Sequence, residues 1–496
     1  MKFPALCRLV LISLLSLSAA LHVLAADITV DSNCSLADAI QAAESDSAIG
    51  GCPAGDGADT IHLTGDITLA AELPQITSDI TIEGSGFIIN GDNSFRIFHI
   101  VDGTLAINQL TLSDGSAEKG GAIYNEGALN ITNSRFANNT AEHFGGAIMN
   151  PGKLNITDTK FDRNRADLDG GAIASDGTLV ITNSSFSNNS TESTSGGAIA
   201  NYGPAMITSS SFSGNTASSS GGAISNINNT MTIVDSKFVN NAAEDYSGGA
   251  IFNGSGQLSV SECRFENNSS ADSGGAIDNH TPYKGRLAHV SVTNSIFVGN
   301  KTRKSGGAII NSGEADIIGS SFEANLARMF GGAIANYGPL TVSNSTLSGN
   351  IGIEHGGGFH SFGDATANLQ HLTLANNLSK EGGGISVYRQ ELVGTVVNLS
   401  NSLLFGNDGG DCNAQLNVNS GNLIADGSCD PAVSGDPLLG ALVESEDGSP
   451  AYHPLLPGSP AIDAADSEYC AATDQKGAAR PQGDGCDIGA IEFTPE

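Results

Sequence analysis

Residues 120–142 read GGAIYNEGALNITNSRFANNTAE, and this stretch decides the fold. Its apolar residues are Ile123, then Leu129 and Ile131, then Phe136, in three short segments parted by turns at Asn125, Gly127 and Asn139. No run has helical spacing, and β-branched residues, Asn and Gly are poor helix formers. The opening phrase Gly-Gly-Ala-Ile returns at Gly145, Gly170, Gly196, Gly221, Gly248, Gly274, Gly306 and Gly331, with degenerate copies at Gly356 and Gly382. The spacings are 25, 25, 26, 25, 27, 26, 32, 25, 25 and 26. Such a period marks a solenoid, in which each repeat buries its apolar face only against its neighbours. Leucine-rich repeats lack a Gly-Gly step. The fit is an all-β, three-sided parallel β-helix, right-handed because parallel crossovers almost always are.

The register can be checked along the chain. Asn139, Asn164, Asn189, Asn215, Asn241, Asn268, Asn300, Asn325, Asn350, Asn377 and Asn407 share one coil position. Three residues earlier stand Phe136, Phe161, Phe186, Phe212, Phe238, Phe265, Phe297 and Phe322, then Leu347, Leu374 and Leu404. Stacked in parallel, they predict an internal aromatic-aliphatic column and an Asn amide ladder at a bend. About fourteen coils at one strand spacing each give a rod of roughly 65 Å.

Gly-Gly-Ala-Ile paired with Phe-x-x-Asn resembles the repeats of chlamydial-type polymorphic outer membrane proteins. The resemblance implies a right-handed β-helix displayed at a bacterial surface. Those proteins end in an autotransporter barrel, whereas no series of ten-residue alternating strands follows Asn407 here.

The amino terminus predicts export. Lys2 and Arg8 precede an apolar run from Leu9 to Leu24, and Ala25-Ala26 offers a small-residue cleavage site, so residues 1–26 read as a signal peptide. No other stretch is apolar enough to span a bilayer, so no membrane span is expected after cleavage. Removing Lys2 and Arg8 leaves 53 acidic against 19 basic residues, a formal charge of −34. That balance disfavours nucleic acid and anionic membranes and suits a secreted, soluble monomer.

Six cysteines lie outside the repeats in three local pairs: Cys34 and Cys52, Cys412 and Cys429, Cys470 and Cys486. Export permits disulfides, and these three are expected. Zinc is the alternative, but no Cys-x-x-Cys spacing supports it. Cys263 stands where other coils carry Ser134, Ser184 or Ser236 and reads as a buried serine substitute.

Both ends read as caps, since a β-helix otherwise exposes unpaired strand edges. Leu36, Ala39, Ile40 and Ala43 have helical spacing behind Ser35-x-x-Asp38, which has capping-box form. This predicts a short N-terminal capping helix. Residues 27–60, with Cys34-Ser35-Leu36-Ala37-Asp38-Ala39 and Asp59-Thr60-Ile61, resemble the bacterial CSLREA domain. The β-helix is then assigned to residues 61–407. Residues 408–496 resemble the bacterial choice-of-anchor Q domain through Gly435-Asp436-Pro437, His453-Pro454-Leu455, Gly458-Ser459-Pro460-Ala461, Arg480-Pro481 and Cys486-Asp487-Ile488-Gly489. In that family the domain often precedes a sorting signal. No apolar tail or sortase-type motif follows Glu492, so no covalent anchor is expected.

Chemistry is sparsely signalled. There is no His-Glu-x-x-His, Gly-x-Ser-x-Gly, P-loop or glycine-rich calcium repeat. The segments before each Gly-Gly carry Glu142 and His143, Asp167 and Asp169, Glu192, Glu244 and Asp245, then Asp272. Paired carboxylates one strand spacing apart suit acid–base work or a cation, which leaves calcium open as a ligand; no other cofactor is expected. Asp167 and Asp169 are the catalytic candidates on that alternative, a lyase or hydrolase acting on acidic polysaccharide. His355, His360 and His371 with Glu354 form a weaker metal-ligand set.

Between Asp278 and Glu314 no acid occurs, yet Lys284, Arg286, Lys301, Arg303 and Lys304 do, on the 32-residue coil. Loops raised on rigid scaffolds commonly carry binding. These five cations are the candidate ligand-binding residues, for an extracellular polysaccharide or a cell-surface component. The sequence therefore predicts a secreted or surface-exposed β-helix protein, adhesin-like and non-catalytic.

Overall fold

Alternation at Leu129 and Ile131, repeated at Leu154 and Ile156, turns one face of each strand inward, and the coils stack on that face. The computed structural model describes residues 25–282, 286–387, 394–444 and 448–494. It is a parallel β-solenoid of about 14 turns. Among the described residues, three parallel sheets form its sides, with 29, 13 and 10 strands, the third confined to residues 116–352. The long sheet takes two strands from most coils, such as Ala128–Thr132 and Arg135–Ala137. The third sheet follows with strands such as Thr140–Phe144, and the second with strands such as Ile148–Asn150. Register is strict: Leu129 lies opposite Leu154, and Phe136 opposite Phe161.

The phenylalanine column is internal. From Phe136 to Phe322 successive rings stack 4.7–4.9 Å apart, within 9° of parallel. That separation is the coil pitch itself, so coil stacking and ring stacking reinforce each other.

The Asn ladder satisfies every polar atom of its members. Asn215 donates from Nδ2 to Asn241 Oδ1 (2.9 Å) and to the Phe186 carbonyl (3.0 Å). Its own Oδ1 accepts from the Asn189 amide nitrogen and Nδ2 at 3.0 and 2.9 Å. The last member, Asn407, donates to Asp411 Oδ1 from both nitrogens at 3.0 and 2.8 Å. A second amide ladder, unforeseen from the sequence, lines the end of the second sheet. There Asn201, Asn226, Asn253, Asn279, Asn311 and Asn336 join side chain to side chain at 2.8–2.9 Å.

The Gly-Gly step is a backbone requirement. Gly221 has φ +67°, and a Cβ on Gly222 would lie 2.2 Å from the carbonyl oxygen of Gly249 in the next coil. Neither position takes a side chain without moving the backbone.

A hydroxyl ladder explains Cys263. Ser210 donates its amide to Ser236 Oγ (3.1 Å), and Cys263 donates its own to Ser295 Oγ (3.2 Å). The Cys263 sulfur lies 3.2 Å from the Ser261 carbonyl, and burial pushes its thiol pKa up to about 12. The native thiol should therefore resist iodoacetamide, whereas the denatured chain should be labelled. Cys263→Ser restores the hydroxyl and should shift stability by less than about 1 kcal/mol. Rapid alkylation of the native protein would contradict this placement.

The helix Leu36–Ser45 caps the amino-terminal end, its Ser35 Oγ accepting from the Asp38 amide and Leu36, Ala39, Ile40, Ala42 and Ala43 buried. Glu44 ties it to the solenoid by accepting from the Thr77 and Ser78 amides at 2.8 and 3.2 Å. Strand Asp27–Val30 precedes the helix and already pairs with Asp59–Leu63, so coil structure begins before residue 61. It also runs past Asn407, through Cys412–Asn413, Val418–Ser420 and Leu423–Ile424. The extension was hidden because Asp411, rather than another Asn, continues the ladder.

Disulfides join Cys34 to Cys52 beside the cap, Cys412 to Cys429 across the last coil, and Cys470 to Cys486 in the carboxyl segment. That segment lies laterally on the long sheet. Leu455, Ala461 and Ile488 pack on Leu403 and Leu423. Asn344 donates to the Thr473 carbonyl (2.9 Å), Thr346 to Gln475 (2.6 Å), and Asn401 exchanges two bonds with Asp466 at 2.7 and 3.0 Å. Among the described residues no helix is long and apolar enough to cross a membrane. Most of the expected signal peptide, residues 1–24, and the candidate Lys284 lie outside the described residues.

Candidate functional site

The third sheet contributes only two-residue strands in most coils, so its outward side chains depend on the residues flanking them. Ser269 pairs with Lys301, and Lys301 with Leu326, on successive coils. Two positions later Ala271, Arg303 and Arg328 follow the same register, held by the Ala271 amide on Ala243 O (3.0 Å) and the Arg328 amide on Thr302 O (3.2 Å). Small residues Ala242, Ser269 and Ala271 form a floor. Lys301, Arg303, Leu326 and Arg328 rise beside it as a wall, and the groove between encloses about 490 Å³. Glu244 lines its far end.

Of the five expected cations, the four among the described residues do not form one patch. Lys301 and Arg303 stand in this groove, and Lys304 is ion-paired with Asp272. Arg286 is exposed on the insertion joining the second sheet to the long one, at a different corner of the coil. Arg328 enters the site unannounced: it lies one coil beyond the run that the sequence marks as basic. Lys301, Arg303 and Arg328 make no ion pair among the described residues. Arg135–Asp162 (2.9 Å), Arg165–Asp167 (3.0 Å) and Arg264–Glu266 (3.1 Å) are paired, whereas Lys153, Lys160 and Lys237 make no ion pair among the described residues either.

The acidic candidates are tied into the scaffold on separate faces. Asp167 accepts from Arg165, which also pairs with Glu192 across one coil. Asp169 reaches over the second sheet: its Oδ2 accepts from the Tyr202 hydroxyl (2.7 Å), and its Oδ1 from the Ser195 amide (3.1 Å). Burial and the adjacent Asp169 charge push the Tyr202 phenol pKa up, so it stays a donor. Neither carboxylate faces the other across an open cleft.

The histidines divide between sheets. His360 is fully buried on the second sheet among Phe330, Phe362 and His355, with ring centroids 5.2, 4.1 and 5.8 Å away. Both its ring nitrogens lack hydrogen-bond partners, and burial with the neighbouring His355 lowers its pKa to about 3. His371 instead sits on the long sheet, its Nε2 3.1 Å from the Tyr469 carbonyl. The weak metal-ligand alternative, against which no metal site was expected, is not assembled. Among the described residues no group of three or more His, Cys, Asp or Glu side chains is placed to hold a metal ion.

A buried acid lay unmarked in the sequence. Asp278 follows Gly-Gly-Ala-Ile at a position filled elsewhere by Ala174, Ala200 or Ile310, and that contrast was the available signal. Burial raises its pKa to about 7, opposed by a Ser247 hydrogen bond and aided by Asp272. The unfolded chain ionises this carboxyl near 3.8, so native stability falls as pH rises between about 4 and 7. Asp278→Asn should therefore match the parent below pH 4 and exceed it at pH 8, in denaturant melts across that range. A constant offset would contradict the buried neutral carboxyl.

A family model described as the Chlamydia polymorphic membrane protein (Chlamydia_PMP) repeat matches residues 209–227 and 262–280. Each stretch spans a Phe-x-x-Asn and the Gly-Gly-Ala-Ile after it, Phe212 to Ile224 and Phe265 to Ile277. No curated protein and no solved structure matches the chain.

Proposed function

We propose that this chain is an exported, surface-exposed interaction protein, adhesin-like and non-catalytic, that works as a monomer. The observation that carries the reading is the repeat shared with polymorphic membrane proteins, matched at residues 209–227 and 262–280. Three disulfides suit an oxidising compartment outside the cytoplasm. Asp167 and Asp169 are occupied by Arg165 and Tyr202, which favours scaffold over acid–base chemistry. On this reading residues 1–26 are the export signal, the CSLREA-like segment caps the rod, and the choice-of-anchor Q-like segment covers the long sheet from the side rather than the rod's end. The partner is an extracellular polysaccharide or another cell-surface component, and no cofactor is needed.

The test immobilises the mature protein and measures retention of cells and of acidic and neutral polysaccharides, alongside release of new reducing or unsaturated ends. Retention without new ends, unchanged by EDTA, is expected. New ends that disappear in Asp167→Asn/Asp169→Asn would overturn the non-catalytic reading.

A further inference from the structure

We infer that the third-sheet groove is a binding site for an anionic polysaccharide, whose carboxylate or sulfate groups are held by Lys301, Arg303 and Arg328. The inference rests on the interaction-protein reading and gives it a location and a ligand chemistry.

Charge is the first argument. The chain has 53 Asp and Glu against 21 Lys and Arg, and Lys304, on the same coil as Lys301 and Arg303, has Asp272 as its ion-pair partner. Three cations clustered on two adjacent coils without one are a region of like-charge repulsion. An external anion relieves that repulsion. Arg303 and Arg328 sit one coil apart, about 4.8 Å, so their guanidinium groups can grip one anionic group bidentately or two in series.

Shape is the second. The floor of Ala242, Ser269 and Ala271 lies on the two coils before the cationic wall and leaves a depression of about 490 Å³ in which a glycan segment can sit. Its lining is hydroxyl and aliphatic, with no aromatic ring on which a base could stack, which favours a glycan over a nucleic acid. Glu244, two coils or about 10 Å from Arg303, sets polarity: it accepts from sugar hydroxyls and repels a second anion.

The experiment measures binding of full-length protein to polygalacturonate, dextran sulfate, neutral dextran and duplex DNA at two salt concentrations. Polygalacturonate and dextran sulfate separate carboxylate from sulfate recognition; at least one should bind, and weaken steeply with salt because exposed charges are screened within about 10 Å at 0.1 M. Lys301→Ser/Arg303→Ser/Arg328→Ser should weaken binding at least tenfold with an unchanged melting temperature. Arg286→Ser should change nothing, and Glu244→Gln should tighten binding, a gain that loss of fold cannot mimic. Binding unaffected by the triple substitution, or equal binding of duplex DNA, overturns the site. Retention of cells or neutral dextran but of neither anionic polymer removes the site while leaving the interaction reading; retention of nothing removes both.

Discussion

Phe212→Ala should lower stability by about 3–5 kcal/mol, among the largest effects of any single substitution in the rod. Phe212 is fully buried and stacks at 4.9 Å on Phe186 and at 4.8 Å on Phe238. Its neighbours are held at the coil pitch by strand pairing above and below, so they cannot collapse into the vacated volume. The cavity term therefore adds in full to the lost transfer energy. The half-buried turn residue Ser219 is the reference: Ser219→Ala should cost under about 0.5 kcal/mol. Denaturant melts of the two variants decide the matter, and comparable losses would mean that the column does not carry the load its geometry implies.

Arg480→Met should unfold the carboxyl segment, at a cost of about 3–5 kcal/mol to that segment's own fold. The Arg480 and Glu492 side chains are fully buried and 2.6 Å apart. The guanidinium also donates to the carbonyls of Asp487 (3.0 Å) and Gly489 (2.8 Å). Burial pulls the Arg480 pKa down and the Glu492 charge opposes that shift. Removing the cation leaves Glu492 charged, buried and unpaired, which is why the loss should exceed that of an ordinary ion pair. Limited proteolysis should then cut within residues 448–494 while the coils stay resistant. Arg480→Met/Glu492→Leu should recover much of the loss, because an apolar pair replaces a buried charge pair at little net cost. Resistance of the single variant would show that apolar packing on Leu403 and Leu423 suffices.

The residues that sequence reading reached and those it missed differ in one physical respect. Phe136 to Phe322 and Asn139 to Asn407 were legible because one side chain type returns at the coil period, and the period is the structure. The second amide ladder was less visible because Ser175 interrupts it between Asn150 and Asn201. Arg328 was missed because charge was read along the chain, whereas the solenoid groups residues about one coil apart. For the same reason Arg286 looked like a neighbour of Arg303 and is not. The docking of the carboxyl segment was least legible. Its bonds to the coils join residues 46 to 129 positions apart, through irregular backbone with no repeat to announce them.

Every amide in the Asn ladder points the same way, from Nδ2 of one coil to Oδ1 of the next, until Asp411 receives the last. Each coil therefore offers an acceptor edge on one side and a donor edge on the other, and neighbours are interchangeable at the joint. A coil could be deleted or duplicated between Gly170 and Gly196 with both end structures and the groove untouched. Length then becomes a quantity the lineage can adjust in units, each moving the third-sheet groove by about 4.8 Å relative to the capped end. The rod is a spacer with a ratchet of its own pitch, and the distance at which it presents its groove can change without any change to the groove.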